Sequence, residues 1–185
     1  MRTRRAVPGL IAWLVLACFA GPPATAGTSR PADAGSASTG VQWRSWDDGL
    51  READRSKRPV LVDVYTDWCG WCRRMDRDVY GRSDVRKYLS SRFVTVKLNA
   101  ESSASGRYQG RSLSSRSLAQ HFGVRGYPTT VFLRPGGDHI TNVGGYVPAD
   151  RFLLILRYIG DGHLDRGTPF EEFEKQADVD RPGPR

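Results

Sequence analysis

The chain has 185 residues, 39% of them hydrophobic, and a formal net charge of +8. That is enough for one domain with a packed core plus appendages, and too ordinary a composition for a disordered or fibrous chain. Beyond residue 26, charges of both signs are interspersed along the chain, so the basic excess reads as a solvated surface with no nucleic-acid partner.

The first 26 residues carry three arginines and no acidic residue; without them, 25 basic residues face 20 acidic ones, a net of +5. MRTRR is a basic start, LIAWLVLACFA (10–20) is an apolar run, and Ala24-Thr25-Ala26 is a small-x-small cleavage signature. Together they predict a signal peptide over 1–26 and an exported, periplasmic or extracytoplasmic domain. The apolar run is too short for a comfortable membrane span. Val15-Leu16-Ala17-Cys18 also resembles an imperfect lipobox, and processing there would leave a lipid anchor on Cys18. Residues 27–40, GTSRPADAGSASTG, are small and polar without periodicity and read as a flexible linker.

A domain is expected over 41–160. Val41–Trp46 reads as a short strand, and 47–56 as a helix with Leu50 and Ala53 on one face. Lys57-Arg58-Pro59 stops it. Trp43 and Trp46 read as packing residues. VLVDVYT (60–66) is β-branched and almost continuously apolar, the pattern of a central strand buried on both faces. A helix follows from Cys69 to about Tyr80, then a second over 83–91 capped by Ser83. FVTVKLNA (93–100) is another strand. ESSASGRYQGRS (101–112) reads as an exposed loop and SLSSRSLAQHF (112–122) as a helix. TTVFL (129–133), a turn at Pro135–Asp138 and ITNVGGYV form a hairpin. Pro148 opens the helix ADRFLLILRYI. Residues 161–185 form a C-terminal extension, with a capping-box start at Thr168, Pro169 and Glu171 for a short helix FEEFEKQ. The order predicts an α/β fold, a mixed central sheet with helices on both faces, in a single domain.

The two cysteines left after cleavage, Cys69 and Cys72, sit in TDWCGWCRRM. Three uses compete. A structural staple is weak, because the bridge closes too small a loop to restrict the unfolded chain much. A zinc site wants further Cys or His ligands at suitable spacing, and His121, His139 and His163 are isolated, so no metal is expected. A redox pair fits the placement at a strand–helix junction. Unpaired backbone N–H groups and the helix dipole there favour a thiolate on the first cysteine. Cys69 is then the attacking thiol and Cys72 the buried resolving thiol. Arg73 and Arg74 add positive charge beside them. Asp63 is a single charge inside the apolar strand, and a carboxylate buried there should have a raised pKa.

VDVYTDWCGWC, VTVKLNAE, GVRGYPTTVFL and VGGYVPADRFLLIL, taken in order, resemble the thioredoxin family over about residues 41–160. The nearest likeness is to exported bacterial thioredoxin-like proteins with a WCGWC motif. The resemblance implies the thioredoxin fold, a thiol–disulfide oxidoreductase needing no bound cofactor, and a redox-active Cys69–Cys72 disulfide. It makes Asp63 a proton carrier for Cys72, with Lys97 close to that acid. It makes the Tyr127-Pro128 bond cis, in a loop that binds an extended client segment, with Trp68, Gly70, Trp71 and Tyr127 on the rim. Family members often carry Gly-Pro where this chain has Gly70-Trp71, a departure that bears on redox direction. The partners implied are disulfide-containing client proteins and an external electron donor, a membrane thiol carrier, with the chain acting as a monomer. Oxidation or isomerisation of client disulfides, and client binding without catalysis, are the alternatives.

Overall fold

The computed structural model describes residues 40–179. The predicted signal peptide, its Cys18 and the linker, save its last residue Gly40, lie outside the described residues. Ser45 caps α1 (Trp46–Ser56), its hydroxyl accepting the Asp48 N–H. After β1 (Val60–Tyr65) come α2 (Gly70–Met75) and a π-helical turn, Asp76–Tyr80. α3 (Ser83–Arg92), β2 (Val94–Asn99), the hairpin β3 (Ser105–Tyr108) and β4 (Arg111–Ser114), and α4 (Ser115–His121) follow. β5 (Thr129–Leu133), β6 (His139–Gly144), α5 (Ala149–Gly160) and α6 (Phe170–Val179) complete the described chain.

The main sheet has the order β2-β1-β5-β6. β1 and β2 run parallel, and β5 and β6 are antiparallel to their neighbours, so the sheet is mixed as expected. The side-chain period of two along β1 feeds two cores. Val60, Val62 and Val64 join Ala53 of α1 and Leu118 of α4 on one face. Leu61 joins Met75, Leu89, Phe152 and Leu156 on the other, under α2, α3 and α5. Helices on both faces explain why β1 reads as an apolar run broken only by Asp63.

Several elements differ from the sequence expectations. Residues 41–46 are not a strand; only Arg44 pairs, bridging Val96, because Ser45 already caps α1 at Trp46. The expected helix from Cys69 to Tyr80 divides, with Cys69 as the cap of α2 and the π turn taking its second half. Ser83 does not cap α3. Arg82 occupies that position, and the Asp84 carboxylate accepts the Val85 N–H instead.

The largest difference is the stretch read as a loop, most of which is the β3–β4 hairpin. Its turn residues, Gln109 and Gly110, both take positive φ (49° and 75°). α4 therefore begins three residues later than expected, capped by the Ser114 hydroxyl accepting from the Ser117 N–H. The hairpin is fixed to α1. Trp46 Nε1 donates to the Arg107 carbonyl at 3.1 Å, and Arg107 N–H donates to Asp47 Oδ1 at 2.7 Å. Gly106 lies flat against the Trp46 indole: a Cβ there would come 2.3 Å from Trp46 Cδ1. Gly106→Ala is expected to lower stability by about 1–3 kcal/mol through overpacking, read as a lower urea midpoint with an unchanged slope.

The C-terminal extension is part of the packed structure through α6. Phe173 is buried, and Tyr158 of α5 meets both Phe170 and Phe173, at 5.0 and 5.5 Å between ring centroids.

Candidate active site

The end of β1 and the start of α2 bring the cysteines together. Thr66 O accepts the Cys69 N–H at 3.2 Å, which turns the chain into the helix. Cys69 caps α2, and its Sγ accepts the Cys72 N–H at 3.1 Å. The two form a disulfide, with S–S 2.08 Å and Cα–Cα 5.3 Å. Both are 4% exposed, so burial does not distinguish them in this state. The asymmetry is electrostatic: only the Cys69 sulfur receives a backbone N–H at the positive end of α2.

Asp63 and Lys97 face one another because the parallel register pairs them across β1 and β2. Lys97 Nζ lies 3.3 Å from Asp63 Oδ2 and also pairs with Asp76. Tyr80 donates its hydroxyl to Asp63 Oδ1 at 3.4 Å. Burial pushes the Asp63 carboxyl up to about 6; the Lys97 charge opposes that rise and the Asp76 charge adds to it. Burial, with the Asp63 charge beside it, pushes the Tyr80 phenol well above its ordinary value. The Lys97 ammonium sits over the Trp43 and Tyr65 rings, at 4.8 and 5.1 Å. Trp43 is thus a wall of this charged cluster as well as a packing residue.

Sequence reasoning does not single out Asp76, Tyr80 or Tyr146. Asp76 stands four residues after Cys72, one helical turn on, and that spacing is the available signal. The π turn places Asp76 against Lys97 and Tyr80 against Asp63, two contacts that no sequence period announces.

The rim is aromatic. Trp68, 65% exposed, donates Nε1 to Glu101 Oε2 at 2.9 Å and meets Tyr127 edge-on, with centroids 6.0 Å apart. The Tyr127-Pro128 bond is cis. Pro128 O accepts the Gly145 N–H at 2.8 Å, joining that loop to the end of β6. Trp71, 53% exposed, packs on Tyr146 at 5.6 Å. Gly70 is exposed, and a Cβ there would meet only the Arg73 guanidinium, 3.9 Å away. The histidines sit elsewhere, His121 on Tyr108, His139 on Asn142 and His163 on Phe173. Among the described residues no three His, Cys, Asp or Glu side chains group to hold a metal.

A close Cys-x-x-Cys pair at the first turn of the helix behind the central strand of this four-stranded mixed sheet defines a thioredoxin-fold protein with a dithiol–disulfide site. Residues 46–160 match the family described as a thioredoxin-like domain, and the chain belongs to it. Its curated relatives include the thiol:disulfide interchange protein DsbD of Ralstonia nicotianae, 33% identical over 112 residues, which are 60% of this chain and 17% of that protein. DsbD of Yersinia pestis is 29% identical over 107 residues, 57% of this chain and 16% of that protein. The chain thus spans about a sixth of the length of the curated relatives it matches. Among solved structures, a thioredoxin-fold protein from Helicobacter pylori superposes with a TM-score of 0.59 at 24% identity, over 67% of this chain and 82% of that one. A thioredoxin from Thermus thermophilus gives a TM-score of 0.53 at 26% identity, over 67% of this chain and 95% of that one.

Proposed function

We propose that the chain is an exported thiol–disulfide oxidoreductase that reduces disulfides of client proteins. The observation that carries this is the Cys69–Cys72 disulfide at the positive end of α2, beside a strand that buries an acid with a raised pKa. In the reduced protein the Cys69 thiolate attacks one sulfur of a client disulfide. A mixed disulfide forms, the client S–S bond breaks, and the other client sulfur leaves as a thiolate. Cys72 then gives its proton to Asp63 and attacks Cys69 Sγ. The enzyme disulfide closes and the second client thiolate departs. The client gains two electrons and the pair loses two. Lys97, held between Asp63 and Asp76, steadies the carboxylate charge without taking part in bond exchange.

The client lies along the Pro128 loop as an extended segment, between Trp68 and Tyr127 on one flank and Trp71 on the other. Gly70, exposed between the two cysteines, presents no side chain to that segment. The two sulfurs suffice as the redox group, with no bound cofactor. The leader predicted over 1–26 sends the domain to an oxidising compartment. An external donor, a membrane thiol carrier in this reading, must then return the pair to its reduced form. Among the described residues no helix is long and apolar enough to cross a membrane, so such a carrier would be a separate protein or a segment beyond them.

Equilibrating the Cys69–Cys72 pair with a dithiothreitol or glutathione buffer tests the direction. A reduction potential near that of thioredoxin, about −270 mV, is expected for a reductase. A value near about −120 mV would reverse the direction to that of an oxidant. Trp71, which stands where family members often carry proline, would be the first residue to exchange.

A further inference from the structure

Trp68 and Trp71 are the exposed large apolar side chains of the described residues, and in the chain they stand one residue before and two residues after Cys69. Their surroundings carry opposite charge. Trp68 is held by the Glu101 carboxylate, and the neighbouring Asp67 carboxylate accepts from Asn99. Trp71 is held by a cation: the Arg74 guanidinium lies 5.2 Å from the centroids of both the Trp71 and the Tyr146 rings. Tyr146 follows Gly145, whose positive φ (80°) turns the chain there and whose N–H is bonded to Pro128 O. The loop bearing Tyr146 is thereby fixed to the loop bearing the cis-proline.

Arg74 has spare binding capacity. Its Nε donates to Asp78 Oδ2 at 3.1 Å, while Arg77 takes Asp78 Oδ1 at 3.0 Å, so two arginines share one carboxylate. The terminal nitrogens of Arg74 have no hydrogen-bond partner among the described residues, and the side chain is 50% exposed. A guanidinium held over two rings is pre-organised, and its planar fork matches a carboxylate.

We propose that Trp71, Arg74 and Tyr146 form a specificity platform that selects client segments carrying an aspartate or glutamate within two residues of the reacting cysteine. The inference rests on the exchange reading above. The charge difference also orients the segment: on the Trp68 flank a carboxylate would meet Glu101 and Asp67, with one cation beside them, Arg73, whose Nη1 donates to the Asp67 carbonyl at 2.9 Å.

The test uses short peptides with one cysteine, capped as a mixed disulfide with the uncharged thiol 2-mercaptoethanol. The residue beside the cysteine is Glu, Gln or Lys. The reduced protein's second-order rate with each peptide is divided by the rate of dithiothreitol with the same peptide, which removes intrinsic differences in peptide reactivity. At low salt the Glu peptide is expected to outrun the Lys peptide by about tenfold, the scale of a charge-assisted hydrogen bond. The ratio should shrink as salt rises. Arg74→Gln should bring it close to unity, Tyr146→Ala should lower it, and Arg74→Lys should leave an intermediate value. Because each figure is a ratio within one protein, any change in Cys69 reactivity caused by the substitution cancels. Equal normalised rates for all three peptides on the unaltered protein, or a ratio untouched by Arg74→Gln, overturn the platform alone. Failure to reduce any peptide that dithiothreitol reduces overturns the exchange reading, and the platform with it.

Discussion

The Cys72→Ser protein is expected to accumulate as mixed disulfides with its clients, and the Cys69→Ser protein to accumulate none. The two sulfurs are equally buried in the disulfide, so the difference must arise from reactivity once the bond is opened. Cys69 Sγ receives the Cys72 N–H at the start of α2, and a thiolate left there gains the helix dipole and that hydrogen bond. Cys72 lies inside the first turn, where its sulfur reaches Cys69 Sγ but receives no backbone N–H among the described residues. Serine at 72 leaves the first attack intact and removes the second, so the covalent intermediate persists. The measurement is a non-reducing gel and mass spectrometry of cells producing each variant, after thiols are blocked with iodoacetamide. Turnover of a model disulfide should fall to the uncatalysed level in both variants. If the Cys72→Ser protein binds clients yet forms no mixed disulfide, the domain is a binding module that uses the same rim without exchange.

Those parts of the site that follow from local chain physics are legible in the sequence. β1 announces itself by an apolar run interrupted once, and that interruption is Asp63. The cysteine pair is legible because a helix start is a local event. Lys97 comes only through the resemblance to a family; the residues alone do not choose between solvent and a partner. The choice is made by the parallel register of β1 on β2, a long-range pairing. Other features depend on tertiary contacts and leave no local trace. The β3–β4 hairpin is polar and rich in serine, and it exists because Gly106 and Tyr108 turn inward onto Trp46 and Phe122. Its turn uses Gln109 at positive φ, where Asn or Gly would have flagged it. Asp76 meets Lys97 and Tyr80 meets the buried acid through a π turn, and the 3.6-residue period gives no warning of one. The sequence puts Tyr146 on the last strand, which ends at Gly144; the loop beyond carries its ring over Trp71.

The buried acid gives the other large expected effect, on stability and rate in opposite directions. The Asp63 carboxyl has its pKa raised from 3.8 to about 6, chiefly by burial. Below about pH 4 both the folded and unfolded chains hold this proton. As pH rises toward 6 the unfolded chain releases it while the folded chain keeps it, so stability falls. Above that range the loss is complete, and a rise of this size in one group corresponds to about 3 kcal/mol. An asparagine in place of Asp63 would resemble the protonated acid at every pH. Lys97 would not be orphaned, because Asp76 still pairs with it. One amide N–H would lack a partner, which returns part of the gain. Asp63→Asn should therefore be close to the unaltered protein at about pH 4.5 and more stable by about 1–3 kcal/mol at about pH 7.5. Urea unfolding of the disulfide form at both values reads this difference, and parallel pH curves for the two proteins would sink the idea that Asp63 is ionised at a cost in the fold. The same substitution removes the acceptor for the Cys72 proton. Resolution of mixed disulfides should slow on the order of 10²-fold, the lower end of what a positioned acid–base group contributes. A variant that folds better and turns over worse would identify Asp63 as a residue whose stability cost is offset only by its chemistry.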